Sequence, residues 1–339
     1  MRSFAACRIM PSISEADVSD LPSATVPPHS HAQLHLQKRA AHGASLLIHV
    51  SQPRSAPVPW WLWWNILSLD APTVACIWAL LLLRSNGLTP QAPEIFALGI
   101  AVWVIYTADR LLDGLTAAGT PLLRERHLFV AKHRILFGLL IVAAGCALLW
   151  IGAELRGART LRAGLALGAI VVLYLLSIHA GPTRFLSLLP KEMAVGIIFA
   201  AGASIPLWCA ARGFSFRPLS IAVSVLLGGL CSLNCLSIEC WERAGTGCER
   251  RNMPSVWIAW ANSHLKHIAF VLMIAAFLFS CFPERPGLLE FPLLAISLAT
   301  FFILLLNQQR ENLSPEALRV LADVALVLPA LLGLALIHV

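Results

Sequence analysis

The chain has 339 residues, of which 58% are hydrophobic and 13% charged, and its formal net charge is +7. Soluble domains carry about 25% charged residues. This composition therefore excludes an ordinary globular protein, a largely disordered chain and a disulfide-built secreted scaffold. It also argues against nucleic-acid binding, because loops rich in Lys and Arg give polytopic membrane proteins the same basic excess. We expect an integral membrane protein.

The N-terminal segment differs in composition from everything that follows it. Residues 1–57 are rich in Ser, His, Pro and Ala and contain no long apolar run. The chain start also lacks the apolar run of about 7–15 residues that a signal peptide requires. We predict a disordered tail over residues 1–57, with a targeting or regulatory segment as the alternative. Residues 58–339 are predicted to form the transmembrane domain.

Apolar blocks close to the length of about 20 residues needed to cross a bilayer recur along the rest of the chain. They predict an all-α polytopic bundle of about nine transmembrane helices. The seventh contains His264, Lys266 and His267, so it is either a full span or a shorter span preceded by an interfacial turn. The predicted spans are Ile66–Leu83, Ile95–Leu112, Ile135–Ile151, Ala163–Ile178, Met193–Trp208, Leu219–Ile238, Ile258–Phe282, Leu288–Leu306 and Leu318–Ile337.

The loops between these spans are asymmetric in charge. Basic residues are about twice as frequent on one side, which by the positive-inside rule faces the cytoplasm. This predicts a cytoplasmic N-terminus, and an odd number of spans then places the C-terminus outside. We therefore expect a multi-pass protein that is located in a bacterial inner membrane.

A first acidic cluster closes the second span. Asp109 and Asp113 are four residues apart, so on a helix they project from one face, one turn apart. Two like charges at that spacing repel each other, and a divalent cation bound between them would remove the penalty. Mg²⁺ suits such a site, because it is commonly held by one or two carboxylates together with substrate phosphates. The alternative is a solvated helix end at which Asp109 pairs with Arg110.

A second polar cluster closes the sixth span. Asn234, Glu239 and Glu242 share a broad face of that helix at 100° per residue. Both clusters end even-numbered spans, so both face the same side of the membrane. The predicted catalytic and metal-binding residues are therefore Asp109, Asp113, Glu239 and Glu242.

Basic side chains follow both clusters in the sequence. Carboxylates with a metal ion, facing guanidinium and ammonium groups, are suited to bind a diphosphate. The positive-inside rule explains part of this basic excess. The predicted substrate-binding residues are Arg110, Arg124, Arg126, His127, Arg184, Lys191 and Asn234.

The first acidic cluster resembles a motif of the UbiA family of intramembrane prenyltransferases. That motif reads Asn-Asp-x-x-Asp-x-x-x-Asp, and Asp109 and Asp113 match its last two acids. Ile105 replaces the Asn of the motif, and Tyr106 replaces its first Asp. The resemblance covers about Trp60 to the C-terminus.

The second cluster resembles the other family motif, Asp-x-x-x-Asp-x-x-x-Asp. Asn234, Ile238 and Glu242 occupy its three acidic positions, with Glu239 adjacent. The family also has a characteristic segment between the two halves of its bundle. A similar stretch here consists of Gly181-Pro-Thr-Arg184, Lys191-Glu192 and Gly196.

The resemblance implies a helical bundle around a central cavity that is open to the cytoplasm and to lipid. It implies a Mg²⁺-dependent transferase that moves an isoprenyl group from an isoprenyl diphosphate to a lipophilic, often aromatic, acceptor. A non-catalytic protein that binds or carries a polyprenyl or quinone lipid is the alternative, because the second motif has lost acids. A third possibility is a heme- or metal-handling protein that uses His127, His133, His264 and His267.

Two further groups of residues in the spans have local explanations. Arg319 precedes Asp323 by four residues on the ninth span, which favours an ion pair between them over a role of Asp323 in the site. Cys231, Cys235 and Cys240 lie on the sixth span. They are expected to pack as small free thiols, with soft-metal binding as the alternative.

Overall fold

The computed structural model describes residues 59–116, 129–130, 132–154, 158–179, 190–210, 218–245, 256–281 and 288–337. In these segments the regular structure is helical, and they contain no strand. Eight of the helices in the described segments are long and apolar enough to cross a membrane. The prediction of an all-α, multi-pass membrane protein is therefore confirmed.

The long helices of the described segments follow the predicted spans in order. The seventh is one continuous helix, so His264, Lys266 and His267 do not interrupt it. The helices are α1 (Asp70–Ser85), α2 (Ala92–Thr116), α3 (Arg134–Glu154), α4 (Ala158–His179), α5 (Lys191–Ala210), α6 (Pro218–Gly245), α7 (Val256–Ser280), α8 (Glu290–Gln308) and α9 (Pro315–Ile337).

The first span is broken, which the sequence analysis did not predict. Residues 60–66 form short helical turns whose axis makes an angle of 78° with α1. Ser68 lies in the break with φ of 61°, a left-handed conformation that is uncommon for a residue with a side chain. The indole of Trp103 on α2 donates a hydrogen bond of 3.1 Å to the carbonyl of Leu67 in the break. Residues 60–66 and α1 form a ninth span only if they cross the membrane together as one broken helix.

Helix α1 and helices α5 to α9 contribute the buried core side chains. Trp78, Leu81 and Leu82 of α1 and Leu227 and Leu230 of α6 are fully buried. Helix α1 packs against α2, α5, α8 and α9, and α6 packs against α5, α7, α8 and α9. Half of the apolar stretch of α6 is buried, against 11% in each of α2, α3 and α4. The outer helices therefore present most of their apolar surface to lipid.

Helices α5 and α6 approach each other closely at Gly196. A Cβ atom at this position would overlap the backbone nitrogen and the hydroxyl of Ser232. Only glycine lets the two backbones meet in this way. The contact brings the start of α5, with Lys191 and Glu192, against the second half of α6.

Polar contacts between helix termini define the two ends of the bundle. Arg319 near the start of α9 is bonded to Glu242 near the end of α6. The indole of Trp241 donates a hydrogen bond of 3.0 Å to Asn307 at the end of α8. At the opposite end, Ser220 of α6 donates to Asn86, which follows α1, at 3.0 Å. We call the end that holds the C-termini of α2, α4, α6 and α8 the polar end.

Candidate functional site

Ionisable side chains from five helices interact with one another at the polar end. The Tyr174 phenol lies within electrostatic range of Asp109, Asp113, Glu192 and Cys235. Cys235 in turn lies within electrostatic range of Asp323, Glu192 and Lys191. We call this set the polar cluster: Asp109, Asp113, Tyr174, Lys191, Glu192, Cys235 and Asp323.

The polar cluster has an excess of negative charge. Its four carboxylates, on α2, α5 and α9, are half-buried, and its single ammonium group, Lys191, is exposed. Partly buried like charges repel one another more strongly than they would in water. Such a group favours a bound cation. The cation-binding role of Asp109 and Asp113 stays a prediction.

Arg110 lies at the edge of the polar cluster and is bound within the protein. Its side chain is 2% exposed. The guanidinium donates hydrogen bonds to the carbonyl of Asn65, to the Ser68 hydroxyl at 3.0 Å and to Asp70 Oδ2 at 3.4 Å. It also lies 4.3 Å from the ring centre of Tyr106. These contacts bind α2 to the break before α1, so they favour a structural role over the predicted role in substrate binding.

The acids of the second motif also have arginine partners. Glu239 accepts a bond of 2.6 Å from Arg243, one turn later on α6. Glu242 is buried and accepts a hydrogen bond from Arg319 of α9. We had expected Arg319 to pair with Asp323. Its guanidinium instead reaches across to α6, and Asp323 belongs to the polar cluster.

Two buried polar atoms lie near the acids of the two clusters. Tyr174 is within electrostatic range of Asp109 and Asp113, and Asn234 precedes Glu239 on α6. Tyr174 is 8% exposed and Asn234, next to Cys235, is 7% exposed. Neither the Tyr174 hydroxyl nor Asn234 Oδ1 has a hydrogen-bond partner among the described residues. Burying such an atom without a partner costs about 1–3 kcal/mol. Both atoms are therefore suited to bind a ligand.

Replacing Tyr174 by Phe should stabilise the ligand-free protein by about 1 kcal/mol, because the substitution removes a buried hydroxyl that makes no hydrogen bond in the protein. Thermal unfolding in detergent, measured with EDTA, tests this expectation. Tyr106→Phe serves as the control at the only other tyrosine of the chain. A destabilised Tyr174→Phe variant would show that the hydroxyl stabilises the fold itself.

The donor set fits Mg²⁺ better than a transition metal. Within the described segments, no three His, Cys, Asp or Glu side chains lie close enough together to hold a metal ion. Mg²⁺ does not require such a group, since it keeps several waters and uses one or two carboxylates with substrate phosphates. Asp109 and Asp113 meet that requirement. The histidines of the metal-handling alternative that the structure describes lie on different elements, His133 just before α3 and both His264 and His267 on α7.

Four predicted substrate ligands lie outside the residues that the structure describes. They are Arg124, Arg126, His127 and Arg184. The structure does describe Lys191 and Asn234, the first in the polar cluster and the second next to it. Their roles in binding substrate stay predictions.

An apolar groove opens beside the polar end. Its volume is about 390 Å³, and its lining includes Leu67 and Leu69 from the break before α1 and Trp103 from α2. Phe129 and Phe137, before and within α3, line the other side. Leu67 and Leu69 flank Ser68, which is hydrogen-bonded to Arg110. A hydrocarbon chain in this groove would therefore lie near the network around Arg110.

Comparison with known proteins adds no further assignment. No family model matches the chain, no curated protein is significantly similar to it, and no solved structure matches it significantly. The resemblance to the UbiA family therefore rests on the two acidic motifs.

Sequence reasoning missed four members of the polar cluster as site residues: Tyr174, Glu192, Cys235 and Asp323. One feature of the sequence could have indicated Tyr174. The chain has two tyrosines, and both lie within predicted spans, next to the acids of α2 in the structure. A phenol placed inside a membrane helix usually needs a polar partner, which marks these positions.

Proposed function

We propose that the protein is a membrane-embedded, Mg²⁺-dependent transferase that moves an isoprenyl group from an isoprenyl diphosphate to a lipophilic acceptor. The observation that carries the proposal is the polar cluster. It brings four carboxylates together at one end of a bundle that is otherwise apolar. An amphiphile with an anionic head and a hydrocarbon tail suits such a surface, provided that a cation accompanies its head.

Asp109 and Asp113 are the proposed residues that would hold Mg²⁺. Bound Mg²⁺ supplies positive charge against the diphosphate. Lys191, which lies within electrostatic range of Cys235 together with Glu192 and Asp323, is the proposed partner of a phosphate oxygen. The residues thus orient the head of the substrate and stabilise the charge that grows on it.

The proposed reaction breaks the bond between the first isoprenyl carbon and the diphosphate oxygen, and the electron pair leaves with the diphosphate. A nucleophilic carbon or oxygen of the acceptor forms the new bond and loses its proton. The apolar groove of about 390 Å³ is the proposed place for the isoprenyl tail, where apolar walls keep water from the reacting carbon.

A non-catalytic lipid-binding protein with the same fold is the second candidate. The observation that favours it is the pairing of Glu239 with Arg243 and of Glu242 with Arg319. To act as metal ligands, as predicted, these two acids would have to leave their arginines. With both pairs intact, the second metal position of the family is lost.

One assay separates the two candidates. The purified protein is incubated with Mg²⁺ and labelled isoprenyl diphosphates of increasing chain length, and released diphosphate and labelled lipid are measured. The transferase proposal expects Mg²⁺-dependent release. Absence of both turnover and Mg²⁺-dependent binding at every chain length contradicts it. Thermal stabilisation by polyprenyl lipid that is equal in EDTA and in Mg²⁺ favours the binding protein.

We further propose that the polar end faces the cytoplasm of a bacterial cell, with the N-terminus inside and the C-terminus outside. The greater number of basic residues in the loops of that side supports this orientation. Cys281 is exposed directly after α7, at the opposite end of the bundle. A membrane-impermeant maleimide should therefore label Cys281 from outside intact cells. Labelling only after the cells are opened would reverse the orientation.

A further inference from the structure

A run of tryptophans covers one exposed face of the short helical turns that precede α1. Trp60, Trp63, Trp64 and Leu67 follow the i, i+3, i+4, i+7 pattern of a single helix face. All four side chains are exposed, and Trp60 is 84% exposed. We call Trp60, Trp63, Trp64 and Leu67 the tryptophan face.

The opposite side of the same segment is polar and is bound to the rest of the protein. Asn65 is buried and donates a hydrogen bond of 2.5 Å to Asp70 Oδ2. Its carbonyl accepts a hydrogen bond from Arg110, and the carbonyl of Leu67 accepts one from Trp103. The segment therefore directs its polar side inward and its apolar side outward, the reverse of a helix on the surface of a soluble protein.

The segment runs across the axis of the bundle. Helix α1 lies alongside the spanning helix α2, because Asp70 meets Arg110 and the Cys76 thiol meets the carbonyl of Ile95. Residues 60–66 make an angle of 78° with α1. They therefore run nearly parallel to the plane of a membrane that α2 crosses, and the tryptophan face extends along that plane.

Helix α3 indicates where the boundary of the membrane lies. It has no charged residue between Arg134 and Glu154, which lie at its two ends, and only 11% of its apolar stretch is buried. The helical rise places these two residues about 30 Å apart, which is the thickness of a hydrocarbon core. Arg134 therefore marks the boundary of the hydrocarbon at the polar end.

Aromatic contacts place the tryptophan face at this boundary. The ring of Trp63 meets the ring of Phe129 edge-on, with 5.7 Å between their centres. The ring of Phe129 in turn lies 4.7 Å from that of His133, which directly precedes Arg134. Trp63 thus lies at the level of the charged start of α3. Tryptophan is enriched at this level of membrane proteins, because its ring is apolar and its N–H needs a polar partner.

The lipid surface fits the tryptophan face better than a second copy of the chain does. At their exposed fractions, the three tryptophans offer at most about 450 Å². A stable interface between proteins buries about 800 Å² on each partner. Lys132 and Arg134 are also exposed on either side of His133, and their charges suit the phosphates of lipid headgroups.

We propose that the tryptophan face is a membrane anchor that lies flat in the headgroup region of the leaflet at the polar end. The indole rings contact the first carbons of the acyl chains, while Asn65 on the inner side stays bonded to Arg110. Because Asp109 precedes Arg110 on α2, the anchor also sets the depth of the polar cluster, close to the headgroups. This role does not depend on the proposed transferase function.

Site-directed spin labelling in vesicles of phosphatidylcholine and phosphatidylglycerol tests the proposal. A nitroxide is attached to Trp60→Cys or, in a second variant, to Trp64→Cys. Its collision rates are measured with oxygen, which concentrates in hydrocarbon, and with a water-soluble nickel chelate. The background protein carries serine in place of Cys7, Cys146, Cys248 and Cys281.

Two exposed positions serve as matched controls for depth. Val142 lies in the middle of α3, and Asn312 lies between α8 and α9 at the polar end. Labels at Val142→Cys and Asn312→Cys give the collision rates expected in hydrocarbon and in water. A label at residue 60 or 64 should collide with oxygen more often than one at residue 312, and with the nickel chelate more often than one at residue 142.

Three results would overturn the proposal. Collision rates at residues 60 and 64 equal to those at residue 312 would place the face in water. Rates equal to those at residue 142 would make residues 60–66 part of a helix that crosses the membrane. Dipolar broadening between labels at residue 60 of two chains would show that a second copy covers the face. Since Trp60 and Trp64 are exposed, both variants should unfold at the temperature of the background protein in detergent.

Discussion

Asp109→Asn should lower the rate of Mg²⁺-dependent diphosphate release at least about 100-fold, the usual effect of removing one group that stabilises transition-state charge. Asparagine keeps the shape of the side chain but removes the charge that we propose binds the cation beside Asp113. Because asparagine has nearly the same volume as aspartate, the protein should stay folded. Turnover at saturating substrate and unfolding temperature are measured on the same preparation. A rate close to that of the wild type would remove Asp109 from the site.

Glu94→Gln is the matched control for this experiment. Glu94 lies on the same helix, in the first turn of α2, where it accepts a hydrogen bond of 3.1 Å from Thr160 at the end opposite the polar cluster. The control removes one carboxylate from α2 without changing the polar cluster, so turnover should stay within about twofold of the wild type, the effect expected of a change remote from the reacting groups. Glu239→Gln reports on the second motif. A loss as large as that of Asp109→Asn would show that Glu239 leaves Arg243 to take part in the reaction.

Arg110→Met should destabilise the protein by about 3–5 kcal/mol, because removing one partner of a buried ion pair leaves the other charge uncompensated. Asp70 is 3% exposed and would lose the guanidinium that bonds its Oδ2 at 3.4 Å. The break before α1 would also lose the guanidinium that binds its Asn65 carbonyl and its Ser68 hydroxyl. Denaturant or thermal unfolding in detergent measures the loss.

Two further variants show whether burial is the cause. Arg243→Met breaks the exposed pair with Glu239 and should cost less than about 1 kcal/mol, as surface pairs do. The double variant Asp70→Asn, Arg110→Met removes both charges of the buried pair and should recover part of the stability lost in Arg110→Met. If the single and double variants are equally unstable, the shape of the arginine side chain and its stack on Tyr106 carry the effect, and the ion pair does not.

The pairing of Arg319 illustrates where sequence reasoning stops. A spacing of four residues suggested Asp323 as its partner, since neighbours one helical turn apart are the only contacts that sequence spacing specifies. The observed partner, Glu242, is 77 residues away on α6. Asp70 lies 40 residues before Arg110 and was likewise invisible to local rules. In contrast, Glu239 and Arg243 are one helical turn apart, although the sequence analysis assigned Glu239 to the metal and not to this pair.

The apolar spans, their order and the all-helical class were readable from the sequence, because the thickness of a bilayer sets the length of each span and hydrocarbon requires backbone hydrogen bonds to close within it. The acids at the ends of the second and sixth spans could be placed on one side of the membrane for the same reason. The break at Ser68 depended on the packing of helices distant in sequence. So did two ion pairs, Arg110 with Asp70 and Arg319 with Glu242. Packing also brought Tyr174 within electrostatic range of the acids of α2 and of Glu192, and Asp323 within range of Cys235. Lateral position within a bundle is set by side-chain contacts between helices, and hydropathy carries no information about it.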